Sequence, residues 1–422
     1  MFEYEACIIG TGRVGLPLGL SLIDVGVKAT GVDVDPNIIS AVKEGRMPFH
    51  EPGYDDLIAS GKFVVHATPD VVSKSAVIIM TVGTPLHNHI ETDLSQIQRV
   101  LESIKDHIRK DQLIILRSTV APGTTAYVHK WLERNTPFTV GEDILLSFCP
   151  ERIAEGVAYE ELRTLPQIVG GEDDASRDMA AELFGRLAPE VMKTNFITAE
   201  LVKLFCNISR YVHFAMANQF ALVADNFGAN IYETRRLANH NYPRASLAMP
   251  GFTAGTCLRK DFGMINEWSA YPDMMLSAWK MNEYTPAMLV DHLMKRTTIH
   301  DCRVAVLGFS FKANTDDIRD SLVPKLHRYI ERQLPTEIRI SDHNLPAQIN
   351  EPSAHKPLKN WPVADALEDV DCVFVATNHT GYGDVLKELG RTRPEAWVAD
   401  IWNVGGIEQI IYQAGDLVAV EV

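Results

Sequence analysis

The sequence lacks the features of several protein classes. Its 422 residues contain no run of about 18 apolar residues, so we expect no transmembrane helix. The N-terminus, MFEYEACIIGTG, has no basic region before its apolar run, which disfavours a signal peptide. Only 40 residues are basic whereas 55 are acidic, and the formal net charge is −15. This balance disfavours nucleic acid or an anionic membrane as a partner.

Cysteine is scarce and irregularly spaced. None of the six cysteines forms a CxxC pair or a metal-type spacing, so the sequence predicts no metal site. Most of them lie in apolar runs, where a buried and unreactive thiol is the usual state. This pattern fits a reducing cytosol, and we therefore predict a cytoplasmic protein.

Short β-branched runs alternate with helical patterns in the first and last parts of the chain. The first part carries the strand patterns EACIIGTG, KATGVDVD, AVIIMTV, LIILRSTV, ILLSFCP and QIVGG. The last part carries RVAVLGFSF, EIRISDH, DCVFVATNH and WVADIWN. Such alternation is typical of parallel, doubly wound α/β sheets. We predict two Rossmann-like doubly wound domains, residues 1–195 and 296–422, joined by a long central helix and a small helical domain, residues 196–295.

The segment from Thr198 to about Phe227 contains no Gly or Pro, and its apolar residues recur at helical spacing. The pattern predicts a helix of roughly 30 residues, or about 45 Å at 1.5 Å per residue. A helix of this length can be a spine between two lobes or a contact between subunits, and both can hold. The second interpretation predicts a homodimer.

The first motif with a chemical meaning is GTGRVG, which contains Gly10, Gly12 and Gly15. It follows a predicted strand and opens a predicted helix, the arrangement in which a pyrophosphate binds at a helix N-terminus. Asp33 ends the next strand, where an acid receives the ribose hydroxyls of NAD and repels the phosphate of NADP. The motif therefore predicts NAD as the cofactor, against the alternative of a glycine-rich turn beside a solvated acid.

A second motif, PGFTAGTCLRKD, places Cys257 in a predicted loop of small residues with Lys260 and Asp261 close behind. Small neighbours let a substrate approach the sulfur, and a nearby cation stabilises the reactive thiolate. The alternative is a small buried cysteine in a turn.

Two further groups are candidates for chemistry. Lys203 and Asn207 lie four residues apart on the long helix, so they share one face and can act together as oxyanion donors. The alternative is an exposed polar stripe. Glu151 and Glu155 follow a predicted strand in FCPERIAEG, at the sheet edge where ligands bind, and either can be a general base. The alternative is a pair of ordinary surface carboxylates.

Taken together, these motifs resemble the UDP-glucose/GDP-mannose dehydrogenase family of nucleotide-sugar 6-dehydrogenases. The resemblance covers essentially the whole chain, and the motifs occur in the family's order. They are GTGRVGLPL, EPGYDDL, TVGTP, RSTVAPGTT, PERIAEG, ELVKLFCN, GTCLRKD and FSFKANTDDIRDS. The resemblance implies that the first domain, residues 1–195, binds NAD. It implies that the central domain, residues 196–295, mediates dimerisation and carries the catalytic Cys, and that the last domain, residues 296–422, binds the UDP-sugar.

The resemblance also implies roles for individual residues. The catalytic set is Cys257 as nucleophile, Lys203 and Asn207 as oxyanion donors, Asp261 as a holder of a catalytic lysine or water, Glu151 as base, and Thr119 as positioner of the water. The implied cofactor-binding set is Gly10, Gly12, Arg13, Val14, Gly15, Asp33, Thr84, Thr119 and Glu155. The implied substrate-binding set is Glu151, Arg152, Lys203, Asn207, Arg244, Gly251, Lys312 and Arg319, with Arg244 reaching the substrate of a partner subunit.

The implied reaction is an NAD-dependent four-electron oxidation of the C6 hydroxyl of a UDP-sugar to the uronic acid, through a Cys257 thiohemiacetal and thioester, in polysaccharide biosynthesis. Two departures leave the sugar open between UDP-glucose and a UDP-N-acetylhexosamine such as UDP-ManNAc or UDP-GlcNAc. GFTAGTC has one residue more than the GFGGSC common in UDP-glucose enzymes, and PERIAEG combines features of both groups. The alternatives are a two-electron dehydrogenase of the 6-phosphogluconate or hydroxyacid type and a non-catalytic nucleotide-sugar-binding regulator.

Overall fold

A computed structural model describes the chain except for residues 1, 86–91, 267, 270, 353–355 and 420–422 and the side chains of residues 256, 257 and 266. The chain forms two compact units. Unit 1 comprises Met1–Asn207 and Lys260–Ser269, and unit 2 comprises Ile208–Arg259 and Ala270–Val422. Each helix among the described residues is too short or too polar to span a membrane.

Unit 1 contains an eight-stranded sheet with the order β3-β2-β1-β4-β5-β6-β7-β8. Its strands are β1 Tyr4–Ile9, β2 Ala29–Val32, β3 Val65–His66, β4 Ser75–Met80, β5 Leu113–Leu116, β6 Leu145–Phe148, β7 Gln167–Gly170 and β8 Val191–Thr194. The six strands predicted from sequence are present, and the two that the prediction missed, β3 and β8, lie at the sheet edges. Neighbouring strands are parallel except at β6 and β7, which meet antiparallel at Phe148 and Gly170.

Helices cover both faces of this sheet because alternate strand residues point to opposite sides. Ala6 and Ile8 of β1 belong to one apolar cluster, and Cys7 and Ile9 belong to another. The helices are α1 Gly15–Asp24, α2 Pro36–Lys43, α3 Asp55–Ala59, α4 Ser95–Ile104, α5 Thr124–Asn135, α6 Ala158–Thr164 and α7 Asp174–Phe184. The order of strands reverses between β1 and β4, and ligands of doubly wound sheets bind outside the strand ends at such a point.

The central part of the chain is helical. Helix α8 spans Phe196–Asn226, so the long helix predicted from sequence is confirmed, with 31 residues. The division between the two units falls within it, after Asn207. The helices that follow are α9 Ile231–Asn239, α10 Thr256–Asn266 and α11 Asp273–Met294.

Unit 2 contains a five-stranded sheet with the order β10-β9-β13-β14-β15, in which only β14 and β15 pair antiparallel. The strands are β9 Arg303–Leu307, β10 Glu337–Ser341, β13 Cys372–Val375, β14 Trp397–Ala399 and β15 Ile411–Gln413. A separate two-stranded sheet consists of β11 Gln348–Ile349 and β12 Leu358–Lys359. The remaining helices are α12 Val323–Glu331, α13 Val363–Leu367, α14 Tyr382–Thr392 and α15 Asp416–Ala419. The predicted second Rossmann-like sheet is therefore confirmed.

Candidate active site

The turn between β1 and α1 uses its three glycines for three different reasons. Gly10 has a φ of +89°, which favours glycine. A Cβ on Gly15 would lie 2.0 Å from the carbonyl oxygen of Gly10, so the helix start packs against the turn. A Cβ on Gly12 would meet no protein atom within 4 Å. The space in front of Gly12 is therefore open, as expected where backbone must approach a pyrophosphate.

Asp33 directly follows β2 and is fixed beside this turn. Its Oδ2 accepts hydrogen bonds from the backbone N–H of Thr11, at 2.6 Å, and from the Thr11 hydroxyl, at 3.2 Å. Its Oδ1 accepts from the N–H of Asp35 at 2.9 Å. The half-buried carboxylate thus occupies the place that receives a ribose in dinucleotide-binding sheets. Val14, also predicted to bind the cofactor, is the residue before α1.

Arg13 and Glu155, two other residues of the predicted cofactor set, meet in unit 1. A guanidinium nitrogen of Arg13 lies 3.9 Å from Oε2 of Glu155. The same guanidinium lies 5.0 Å from the centre of the Phe49 ring. Both side chains are only about one-fifth exposed. The segment after β6 therefore lies next to the glycine turn.

The carboxyl ends of β4, β5 and β6 supply further candidates. Thr84 follows β4, Thr119 follows β5 and Glu151 follows β6. Because these strands are parallel neighbours, their ends meet at one edge of the sheet. The Thr84 hydroxyl donates a hydrogen bond to the Thr119 carbonyl, which ties two of these ends together.

Lys203 and Asn207 lie on the buried face of α8, and each is only 7% exposed. The alternative of an exposed polar stripe is therefore wrong. The Asn207 amide donates to Oδ2 of Asp261 at 2.6 Å, and Asp261 is fully buried. Among the residues that the structure describes, no hydrogen bond or ion pair reaches the Lys203 ammonium. Lys203 is thus nearly buried, and no carboxylate of the described residues pairs with it.

Lys260 connects Asp261 to the strand ends, a contact that sequence reasoning missed. Its ammonium lies 3.3 Å from Oδ1 of Asp261 and donates to the Thr84 hydroxyl at 3.1 Å. A polar chain therefore runs from Asn207 through Asp261 and Lys260 to Thr84. The only sequence signal was that Lys260 precedes Asp261 in GTCLRKD.

Glu200, one turn before Lys203, anchors this part of α8. Its carboxylate accepts hydrogen bonds from the N–H groups of Gly123, at 2.7 Å, and Thr125, at 2.8 Å. These are free donors at the start of α5, which a carboxylate satisfies well. Burial raises the pKa of Glu200 above its ordinary value, although these hydrogen bonds oppose the change. Glu200 fixes the rotation of α8 and thereby the direction of the Lys203 face.

Glu151 is nearly buried, and both of its carboxylate oxygens accept hydrogen bonds from protein donors. One oxygen accepts from the guanidinium of Arg117. The other accepts from the N–H groups of Arg152, at 2.7 Å, and Ile153, at 3.0 Å. Arg117 is itself only 1% exposed and was not predicted, because nothing in its local sequence distinguishes it. Glu151 is therefore not an ordinary surface carboxylate, and the guanidinium of Arg152 donates to the Pro166 carbonyl.

Cys257 lies at the start of a helix and not in a loop, which corrects the sequence prediction. The loop ends at Gly255, whose φ is +92°, and α10 begins at Thr256. Cys257 is the second residue of this helix, and its side chain lies outside the described residues. The sequence prediction was wrong because small residues and a glycine also precede helices. The N-terminus of a helix favours negative charge nearby.

The remaining predicted substrate residues belong to unit 2. Gly251 is held by Asn218, which accepts from its N–H at 2.8 Å and donates to its carbonyl at 3.0 Å. Arg244 is exposed and its guanidinium lies 4.9 Å from the Tyr242 ring centre. Arg319 is paired with Asp317 by a hydrogen bond of 2.6 Å, and the half-buried Lys312 follows β9.

Unit 2 also contains a basic cavity that sequence reasoning missed. It has a volume of about 420 Å³ and lies between α8, α9 and the segment after Arg244. It is lined by Arg210, His213, Phe214, Arg235, Asn239, Ala245, Ser246, Leu247 and Ala248. Arg235 donates through Nε to the Leu247 carbonyl at 2.9 Å, and no carboxylate is among the lining residues. A protein of net charge −15 thus concentrates three basic side chains here, which suits an anionic ligand.

Known proteins resemble the whole chain. A UDP-N-acetyl-D-mannosamine dehydrogenase from Pyrococcus horikoshii is 29% identical over 94% of this chain and 95% of its own. A UDP-N-acetyl-D-mannosamine dehydrogenase from Campylobacter jejuni is 28% identical over 91% of this chain and 97% of its own. The structure of the UDP-D-ManNAc dehydrogenase from Pyrococcus horikoshii superimposes with a TM-score of 0.83 over 92% of both chains, at 28% identity. The structure of a UDP-glucose dehydrogenase from Pyrobaculum islandicum shares the fold, with a TM-score of 0.79 at 22% identity. The match covers 90% of this chain and 91% of the other.

Three family models match the chain in order. Residues 4–188 match the NAD binding domain, residues 197–284 the central domain, and residues 305–406 the UDP binding domain of one family. Both the glycine turn with Asp33 and the sequence matches identify NAD as the cofactor. The chain therefore belongs to the UDP-glucose/GDP-mannose dehydrogenase family of NAD-dependent nucleotide-sugar dehydrogenases.

Proposed function

We propose that this protein oxidises the C6 hydroxyl of a UDP-N-acetylhexosamine to the carboxylate, in two successive losses of hydride. The observation that carries the proposal is the buried cluster of Lys203, Asn207 and Asp261, in which the lysine pairs with no carboxylate in the part of the chain that the structure describes. An oxygen that becomes negative during the reaction supplies an anion for this lysine. Electrostatic stabilisation of this kind is worth about 3 kcal/mol for one donor.

The cofactor is proposed to bind at the β1–α1 turn. The open space before Gly12 and the carboxylate of Asp33 suit a pyrophosphate and a ribose. We include Gly10, Arg13, Val14, Gly15, Thr84, Thr119 and Glu155 in this site. When bound, NAD supplies the acceptor for each of the two hydrides that leave C6.

The thiol of Cys257 is proposed as the nucleophile that makes the second oxidation possible. Loss of the first hydride and a proton converts the alcohol to an aldehyde. The sulfur anion then adds to the aldehyde carbon, forming a C–S bond and an oxyanion. Lys203 and Asn207 stabilise this oxygen. Loss of the second hydride from the thiohemiacetal leaves a thioester.

Hydrolysis of the thioester completes the reaction. A water adds to the carbonyl carbon, the C–S bond breaks, and the thiol and the uronate are released. We propose Glu151 as the base for this water and Thr119 as the group that positions it. The bonds of Glu151 to Arg117 and to two backbone N–H groups fix the direction of its carboxylate. Asp261 holds Lys260 and Asn207 in place.

The nature of the substrate follows from the relatives and from unit 2. Curated relatives with this length and architecture are named UDP-N-acetyl-D-mannosamine dehydrogenases, which supports UDP-ManNAc before UDP-GlcNAc and UDP-glucose. Residues 305–406 match a UDP binding domain, which supports the uridine nucleotide. We assign Arg152, Arg244, Gly251, Lys312 and Arg319 to substrate binding, and the cavity beside Arg210 to an anionic part of the substrate.

The proposed assembly is a cytoplasmic homodimer. Helix α8 exposes large apolar side chains at Met216, Phe220 and Val223, and the next residue after the helix, Phe227, is exposed as well. Such a row is typical of a surface that a partner covers. We propose the segments 1–195, 196–295 and 296–422 as the three functional domains, which agrees closely with the matched ranges. Light scattering tests the dimer, and a stable monomer at working concentration contradicts it.

The experiment that tests the function is a panel of UDP-ManNAc, UDP-GlcNAc, UDP-glucose and GDP-mannose with NAD. NADH and product acid are measured together. We expect UDP-ManNAc to give the highest kcat/KM and two NADH per acid. One NADH per sugar, with an aldehyde or ketone as product, would instead indicate a two-electron dehydrogenase. Cys257→Ser is expected to abolish acid formation while the nucleotide sugar still binds.

A further inference from the structure

The start of α10 is attached to the segment that follows β9. Within unit 2, the N–H of Gly255 donates to the carbonyl of Asp320 at 3.2 Å. A Cβ on Gly255 would lie 2.6 Å from the ring of Phe311. Gly255 therefore allows a close approach that any side chain would prevent. Thr256 and Cys257 follow at once as the first residues of the helix.

A second attachment lies in the first turn of the same helix. The guanidinium of Arg259 donates to Oδ1 of Asp320 at 3.2 Å. Its Nε lies 2.7 Å from Oε1 of Glu283, which belongs to α11. Arg259 thus connects the turn that carries Cys257 to two acids on separate parts of unit 2.

Glu283 is the more constrained of these two acids. It is only 7% exposed, and its second oxygen accepts from the ammonium of Lys325 on α12. One buried carboxylate therefore joins α10, α11 and α12 through two cations. Breaking a buried ion pair leaves an uncompensated charge, which is strongly unfavourable, so each member restrains the others.

We propose that Glu283 is a positioning residue that acts through Arg259 to hold the first turn of α10, and with it Cys257, in place for addition to the aldehyde. This proposal rests on the nucleophilic role proposed for Cys257. Oxidation of the alcohol needs no sulfur, whereas the second oxidation needs the sulfur within bonding distance of the aldehyde carbon. A displacement of about 1 Å can slow such a step by about 100-fold. Loss of the Glu283 charge therefore affects the second oxidation selectively.

The test is Glu283→Gln in the full-length enzyme, measured in a single turnover with enzyme in excess over nucleotide sugar. We expect the first NADH to form at close to the wild-type rate and the second to form roughly 10- to 100-fold more slowly. We also expect iodoacetamide to alkylate Cys257 of Glu283→Gln at a rate different from that in wild type. Peptide mass spectrometry locates the alkylated residue. Arg259→Met is expected to behave similarly, and Arg259→Lys, which keeps the positive charge, is expected to recover part of the second rate.

The matched control is Glu388→Gln, which removes an exposed acid on α14 that pairs with Arg391 of the same helix, at 3.1 Å. It is expected to leave both phases unchanged. Equal rates of both phases in Glu283→Gln and wild type would overturn the proposal, and so would equal slowing of both phases. If Glu283→Gln does not fold, the two Arg259 variants decide by the same criteria. Acid formation by Cys257→Ser would overturn the thiol mechanism itself, which distinguishes that failure from loss of positioning alone.

Discussion

The two Rossmann-like sheets begin with the same turn and use it differently. In unit 1, Gly10 follows β1 with a φ of +89°, and the next N–H donates to Asp33 at 2.6 Å. In unit 2, Gly308 follows β9 with a φ of +89°, and the next N–H donates to Asp342 at 2.7 Å. Each acid directly follows the neighbouring strand.

The space beside the two turns differs. In unit 1 the space before Gly12 is open. In unit 2 the corresponding residue is Ser310, whose hydroxyl contacts Nε2 of His379 at 3.0 Å. Nε2 of His379 also lies 3.1 Å from Asp342, and both side chains are fully buried. The same supersecondary structure thus keeps a cofactor site in one unit and fills it with side chains in the other.

The largest expected effect comes from filling the open space in unit 1. Gly12→Val is expected to weaken NAD binding at least 100-fold, or about 3 kcal/mol, because the side chain occupies the place of the pyrophosphate. The melting temperature of the free protein is expected to stay nearly unchanged, since no protein atom lies within 4 Å of the new Cβ. Calorimetric titration with NAD measures the first quantity. Wild-type affinity would contradict the assignment of the cofactor site.

The opposite result is expected at the equivalent turn of unit 2. A Cβ on Gly308 would lie 2.4 Å from Cβ of Thr377, at a φ unfavourable for other residues. Gly308→Ala is expected to reduce the free energy of unfolding by about 2 to 3 kcal/mol, with NAD affinity unchanged. Gly381→Ala is the matched control, because Gly381 has a φ of +93° and open space around it. Denaturant unfolding that showed equal losses for both variants would mean that close packing at Gly308 is unimportant.

The buried acid of unit 2 contributes stability that depends on pH. Burial tends to raise the pKa of Asp342, but hydrogen bonds from His379 and from backbone N–H groups outweigh burial and lower this pKa from 3.8 to about 2. A lowered pKa in the folded state stabilises the protein above the unfolded value, and this stability is lost as pH falls through both values. Asp342→Asn is expected to cost about 2 kcal/mol at pH 7. The difference from wild type should shrink between about pH 4 and pH 2. If the difference in unfolding free energy between wild type and Asp342→Asn stayed constant over this pH range, ionisation of Asp342 would not be its cause.

The smallest expected effect concerns Asp33, the half-buried counterpart of Asp342 in unit 1. Asp33→Asn removes the charge that repels the 2′-phosphate of NADP, so we expect the preference for NAD over NADP to fall by about tenfold, or 1.4 kcal/mol. The ratio of kcat/KM for the two cofactors measures this change. An unchanged ratio would show that Asp33 does not select the cofactor.

Several features were predictable because their signals are local. Helix α8 and the interior strands of the sheet were predicted correctly, because the spacing of apolar residues along the chain indicates which side chains are buried. The strands β3 and β8 were missed because they lie at the sheet edges, and β8 has no alternating burial. The prediction of a loop at Cys257 was wrong, because the sequence does not show where the loop ends and α10 begins.

The sequence by itself determined the family, the NAD turn and the order of the motifs, because each depends on residues that are neighbours along the chain. Only the tertiary structure decided that Lys203 faces the interior, that Arg117 holds Glu151, and that Lys260 joins Asp261 to Thr84. These contacts join residues far apart in sequence. Arg117 and Lys260 acquire these partners only when helices and strand ends meet in the buried interior.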